Sequence, residues 1–165
     1  MAAEPGPLAE VRANPAITVT DAPEGIVLAP ADGASDVGLV FIPGAKVDPW
    51  AYAAILQDTA AAGTTVVITR PWLNLAFFDL RGLDSFTSAA PAVSSWAVGG
   101  HSLGGVRACQ LTADADALVL FGSYCATDLS ADDLPALSLS GSEDGLSTPE
   151  KIADARHLLP EDAEL

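Results

Sequence analysis

The 165-residue sequence predicts an α/β fold, a mostly parallel sheet with helices on both of its faces. Three observations carry that prediction. Apolar runs at 37–44 (VGLVFIPG), 64–70 (TTVVITR), 95–100 (SWAVGG) and 116–124 (DALVLFGSY) read as strands buried on both faces, because they lack the alternation of a half-exposed sheet. Helical patterns separate the runs. The third run passes through a glycine-flanked serine directly into a helix.

In chain order, residues 1–15 are rich in Pro, Ala and Glu and read as an irregular leader, with 16–165 as one domain. AITVTD and GIVLAP, parted by APE, form a hairpin at a sheet edge. After the strand ending at Pro43-Gly44, Pro49 opens a helix in which Trp50, Ala53, Ala54, Leu56 and Gln57 recur at helical spacing, and Gly63 closes it. PWLNLAFFDL is an apolar, partly helical connector, and RGLDSFTSAAP adds a turn or two of helix before Pro91. A helix runs from Leu103 to about Thr112. LPALSLSGSEDG is a strand feeding an acidic loop, and STPEKIADARHLLP is a helix capped by Ser147 or Thr148, with Pro149 in its first turn.

Composition narrows the function. Seven Lys and Arg face 22 Asp and Glu, a net charge of −15, which repels nucleic acid and anionic membranes. The longest charge-free stretch, Ser85–Val106, carries Pro91, several serines and paired glycines, so it is no membrane-spanning helix. The amino terminus has no basic apolar run, so the chain reads as cytoplasmic as written. Two histidines, and no H-x-x-H or C-x-x-C pair, leave no metal ligand set, and GGHSLGG is no dinucleotide fingerprint. No cofactor is implied. Cys109 and Cys125 have no zinc or redox spacing; buried thiols are expected, with a disulfide between them the alternative.

Gly100-x-Ser102-x-Gly104 fits a nucleophile elbow, a serine on a sharp strand-to-helix turn whose small neighbours let strand and helix approach closely. GHSLGG after a strand, FIPGAKVDPWAY two strands earlier and LSLSGSEDGLSTPEKI after a later strand together resemble the α/β-hydrolase family. More narrowly they resemble a bacterial branch of small serine hydrolases with a Pro-Gly-Ala-Lys-Val-Asp-Pro loop. The likeness covers roughly residues 16–165, with the three motifs in the family's order. It implies acyl transfer to water on a small ester or related acyl substrate. It also implies Ser102 as nucleophile, Asp144 as the acid, and an oxyanion hole made by the N–H of Leu103 and an N–H of the PGAK loop. Ala45 is the expected loop donor, with Lys46 the adjacent alternative. For the acid, Glu143 and Asp128 are weaker candidates.

The base is the missing member. His101 precedes Ser102, and consecutive residues at such a turn point apart, so a packing or elbow-shaping role is expected of it. His157 follows Asp144 but lies about ten residues into a helix running back from the active edge, roughly 15 Å below it. The resemblance puts the base after one further strand, beyond residue 165, and the sheet is expected to lack that strand and helix, leaving 136–140 unpaired on one side. Two other readings compete with an esterase-like hydrolase: a catalytically silent protein of the same fold that binds a ligand or partner, and an acyltransferase. Trp50, Trp72, Leu73, Leu75, Phe77 and Phe78 either line an acyl pocket or pack in the core, and core packing is expected for most.

Overall fold

The computed structural model describes residues 1–33 and 36–165. Among them, seven strands form one sheet in the order β1-β2-β4-β3-β5-β6-β7. They are β1 (Ile17–Asp21), β2 (Gly25–Pro30), β3 (Val37–Ile42), β4 (Thr65–Thr69), β5 (Ser95–His101), β6 (Ala117–Phe121) and β7 (Ala136–Leu139). The hairpin β1-β2 is antiparallel and occupies one edge, β2 pairs antiparallel with β4, and every other pairing is parallel.

The apolar runs become central strands because both their faces are covered. All of β4 is buried, as is β3 from Gly38 onward. Alternate residues serve different cores: Leu39 and Phe41 pack with Val66, Ile68 and the helix α2 (Trp50–Ala61), while Val40 and Ile42 pack with Val67, Val98 and residues of α3 (Asp84–Thr87) and α4 (Leu103–Cys109). Each such side chain stabilises the fold by about 1.5–3 kcal/mol. From β3 the chain crosses to β4 on one side and then to β5 on the other. The carboxyl ends of β3 and β5 therefore flank a topological switch point, where open α/β sheets bind ligands.

Several expectations change. Residues 1–15 are irregular only at their ends: Pro5–Ala13 form a helix, α1, with Pro in its first turn, and Val11 is fully buried against the α2 side of the sheet. The connector after β4 is two short 3₁₀ turns, Trp72–Asn74 and Ala76–Phe78. Its large apolar residues are mostly not core, since Trp72, Leu73, Phe77 and Phe78 are each more than half exposed, whereas the small Ala76 is fully covered. The helix at 103 stops at Cys109 rather than Thr112. The open side of β7 is partly paired: Ser138 N donates to Glu164 O at 2.8 Å and Glu164 N to Ala136 O at 2.9 Å, a parallel bridge between Leu137 and Glu164. The last helix, α5 (Pro149–Ala155), is capped by Thr148, whose Oγ1 accepts from Lys151 N.

Cys109 and Cys125 are disulfide-bonded rather than free, tying the end of α4 to the loop after β6. A loop of this size closes at a stabilisation of about 3 kcal/mol. Protein unfolded without reductant should therefore show no titratable thiol, and Cys109→Ser combined with Cys125→Ser should lower the unfolding free energy by about that amount. Two reactive thiols in the untreated protein would contradict the pairing.

Candidate active site

The turn after β5 is built on backbone strain. Ser102 has φ 51° and ψ −121°, a region that a side-chain-bearing residue adopts only where its surroundings enforce it. Four bonds do so: Ser102 N donates to Phe121 O at 3.1 Å, and Ser102 O accepts from Gly105 N at 3.0 Å, from Val106 N at 3.3 Å and from Ser123 Oγ at 2.7 Å. Close approach does the rest. A Cβ on Gly104 would overlap Ile42 O, and one on Gly100 would stand 2.5 Å from the Gly104 carbonyl carbon. The serine is thus held at the carboxyl edge of the sheet, beside the loop that follows β3.

That loop leaves one donor free. Gly44 N–H donates to Tyr52 Oη at 2.9 Å, and Lys46 N–H donates to Asn74 O at 2.7 Å, which removes Lys46 as the alternative oxyanion donor. Gly44 O accepts from Val47 N at 3.2 Å, which fixes the Gly44–Ala45 peptide. In a trans peptide the N–H points opposite the carbonyl, so the Ala45 N–H is aimed by the same bond. Among the described residues neither Ala45 N–H nor Leu103 N–H has a hydrogen-bond partner. Ala45, Ser102 and Leu103 all line one cavity of about 290 Å³, together with Ser123, Tyr124 and Ser147. The aromatic residues of the 72–78 connector do not line it.

Asp144 comes to the same edge from the loop after β7. Its Oδ1 accepts from Leu146 N at 2.8 Å and Ser147 N at 2.9 Å, and these bonds hold the carboxyl below its ordinary value. Its Oδ2 faces Gly122, 3.1 Å from where a side chain there would begin. One oxygen is anchored by backbone and the other is turned back toward the sheet. The cavity lies between Ser102 and Ser147, the residue whose N–H Asp144 anchors on. Glu143 is exposed. Asp128 sits elsewhere: it caps Ser130 and lines a cavity with Thr112 and Ala115, residues that precede β6, so it belongs to the opposite end of the sheet.

Neither histidine is hydrogen-bonded to Ser102 among the described residues. His157 is exposed and bonds Asp154 O in its own turn at 2.8 Å. His101 Nδ1 bonds Tyr52 Oη at 2.9 Å, and the other edge of the ring lies beside Gly122. Burial pushes the His101 imidazole below its ordinary 6.5, and the Asp144 carboxylate opposes that shift more weakly. Folding therefore favours the neutral ring. Its stabilisation is whole above pH 6.5 and is lost as pH falls from there toward the depressed folded value, because the unfolded chain takes up the proton first. Denaturant titrations from pH 7 to 5.5 should show this decline in the wild type and a shallower one in His101→Asn.

Tyr52, Asn74 and Ser123 were not singled out from sequence. All three act through contacts with the site that depend on how the chain folds back, and no local pattern marks them.

The profile of the alpha/beta hydrolase family matches residues 38–165, and the chain belongs to that family. A search of curated proteins found no match. Family and fold together define a hydrolase-type scaffold. No described helix is long and apolar enough to cross a membrane.

Proposed function

We propose that this chain is a serine hydrolase of carboxylic esters or related acyl compounds, with Ser102 as nucleophile and Asp144 as the acid. Ala45 and Leu103 N–H groups form the oxyanion hole. The observation that carries the reading is the strained Ser102 beside two unpaired N–H groups in one cavity. Ser102 Oγ attacks the acyl carbon, the carbonyl oxygen takes up charge against the two donors, and each donor contributes about 2.7–4 kcal/mol of transition-state stabilisation. Asp144 Oδ2 orients an imidazole that receives the serine proton and delivers it to the leaving group.

In this reading the imidazole belongs to a histidine outside residues 1–165, because His101 and His157 are engaged elsewhere. It is supplied by chain following Leu165 or by a separate chain. The Leu137–Glu164 bridge supports the first source, since a strand continued in parallel from Glu164 runs toward the edge that holds Ser102 and Asp144. The disulfide fits maturation in an oxidising compartment better than in the cytoplasm.

Free imidazole tests the proposal, because the cavity has room for it. Hydrolysis of p-nitrophenyl acetate by the 165-residue chain should rise with imidazole well beyond the imidazole-only rate, and Ser102→Ala should remove the excess. The engaged histidines also favour a second reading, a silent scaffold that binds a ligand in the same cavity. An excess rate that never appears would support that reading.

A further inference from the structure

Tyr52 lies in the first turn of α2, yet its hydroxyl joins two other elements. It accepts Gly44 N–H from the loop after β3 and meets His101 Nδ1 at the end of β5, both at 2.9 Å. The fit is close: a Cβ on Gly44 would stand 2.7 Å from His101 Nδ1 and 3.0 Å from Tyr52 Oη. The residue next to Gly44 is the oxyanion donor Ala45, and the residue next to His101 is Ser102. The phenol therefore ties the two halves of the candidate site together from behind.

The proton count decides how. A phenol has one hydrogen to give, and Gly44 N–H already fills an acceptor position on Tyr52 Oη. The Tyr52 hydrogen is satisfied when it is donated to a bare His101 Nδ1, which puts the ring hydrogen on Nε2. Protonating Nδ1 makes it a second donor to Tyr52 Oη beside Gly44 N–H and turns the phenol hydrogen away from its acceptor, and a donor left unsatisfied in a part-buried contact is costly. We infer that His101, acting through Tyr52, is a positioning residue of the oxyanion loop, holding Gly44 and with it Ala45 against the Ser102 turn while its imidazole is neutral. The titratable groups facing the ring are Tyr52 from α2 and Asp144 from the loop after β7, the latter near the Nε2 edge across Gly122. Acidification weakens the link: as the ring charges, Nδ1–H becomes a donor, the phenol hydrogen loses its acceptor, and Tyr52 Oη must take Nδ1–H as well as Gly44 N–H, which loosens its hold on the loop.

This inference rests on the hydrolase reading for its catalytic consequence but not for its geometry, and the experiment separates the two. In the first arm, nitrogen-15 spectra of the protein at pH 8 should show His101 with Nδ1 bare and Nε2 protonated. The Gly44 amide should be protected from exchange in the wild type and unprotected in Tyr52→Phe. A protonated Nδ1, or Gly44 protection unchanged in Tyr52→Phe, overturns the link whatever the activity. In the second arm, imidazole-supported, Ser102-dependent hydrolysis should fall about tenfold or more in kcat in Tyr52→Phe and His101→Leu, with KM within about twofold. His101→Asn, which keeps an acceptor at the Nδ1 position, should recover most of that loss and flatten the acid limb of the pH profile. Equal losses in His101→Asn and His101→Leu, with melting temperatures matched, would overturn the positioning role. Wild-type protein with no Ser102-dependent turnover would overturn the hydrolase reading, and the first arm alone would then decide the link.

Discussion

The 165-residue chain should hydrolyse p-nitrophenyl acetate hardly at all by itself, and much faster once an imidazole base is supplied. Serine is a poor nucleophile near pH 7 unless a base takes its proton during attack. In a triad enzyme, loss of the histidine costs on the order of 10⁶ in kcat, and what survives comes from the oxyanion hole and binding. The Ala45 and Leu103 N–H groups have no other partner among the described residues, so a small residual rate should survive here and persist in Ser102→Ala, whereas the imidazole-dependent excess should be lost with Ser102. In the proposed mechanism the best base is a histidine held by protein and oriented by Asp144 Oδ2. A longer or two-chain form that supplies one should exceed free imidazole, and Asp144→Asn should cancel most of that gain. Vigorous turnover by the short chain that vanishes in His157→Ala would mean that an exposed helical histidine reaches the cavity after all.

The second large effect is on stability. Gly104→Ala should cost about 3 kcal/mol or more, a fall of about 10 °C in melting temperature for a chain of this size. The added methyl would overlap Ile42 O and stand 2.6 Å from Pro43 O, and these are backbone atoms of a buried central strand and its exit loop, which cannot swing aside. Relief requires α4 to move off β3, which would also shift Leu103 N–H away from Ala45. Activity should therefore fall below what the residual folded fraction explains. Gly6→Ala is the control: nothing lies within 4 Å of its Cβ, and alanine is the better helix residue. Equal melting temperatures for the two variants would show that the strand–helix contact is looser than the structure has it.

The strands were readable because burial on both faces leaves a signature in the residues themselves. Leu39–Ile42 and Val66–Ile68 carry apolar side chains at consecutive positions, which a covered central strand accommodates. The elbow was readable for a similar reason, since Gly100 and Gly104 stand where any side chain would meet backbone. What escaped the sequence depends on tertiary contact. The α2 pattern ran through Trp50, Ala53 and Leu56, and nothing in it shows that Tyr52 faces inward to meet a loop and a strand end. Ala45 and Lys46 could not be separated until Asn74, far along the chain, was seen to take the Lys46 N–H. The 72–78 connector misled because apolar composition normally signals burial, and here four large side chains face outward. A stretch rich in Pro, Ala and Glu suggests an irregular leader, yet proline is welcome in the first turn of a helix, which is where Pro5 and Pro7 stand.

The central claim is that Ser102 attacks the acyl group, and a mass measurement addresses it with least inference. Protein treated with p-nitrophenyl acetate and imidazole, then quenched in acid and digested, should carry an acetyl group on the peptide containing Ser102. The Ser102→Ala protein should carry none at that peptide. Acetyl groups confined to lysines, His157 or the amino terminus, with the Ser102 peptide unmodified under conditions that give turnover, would contradict the account.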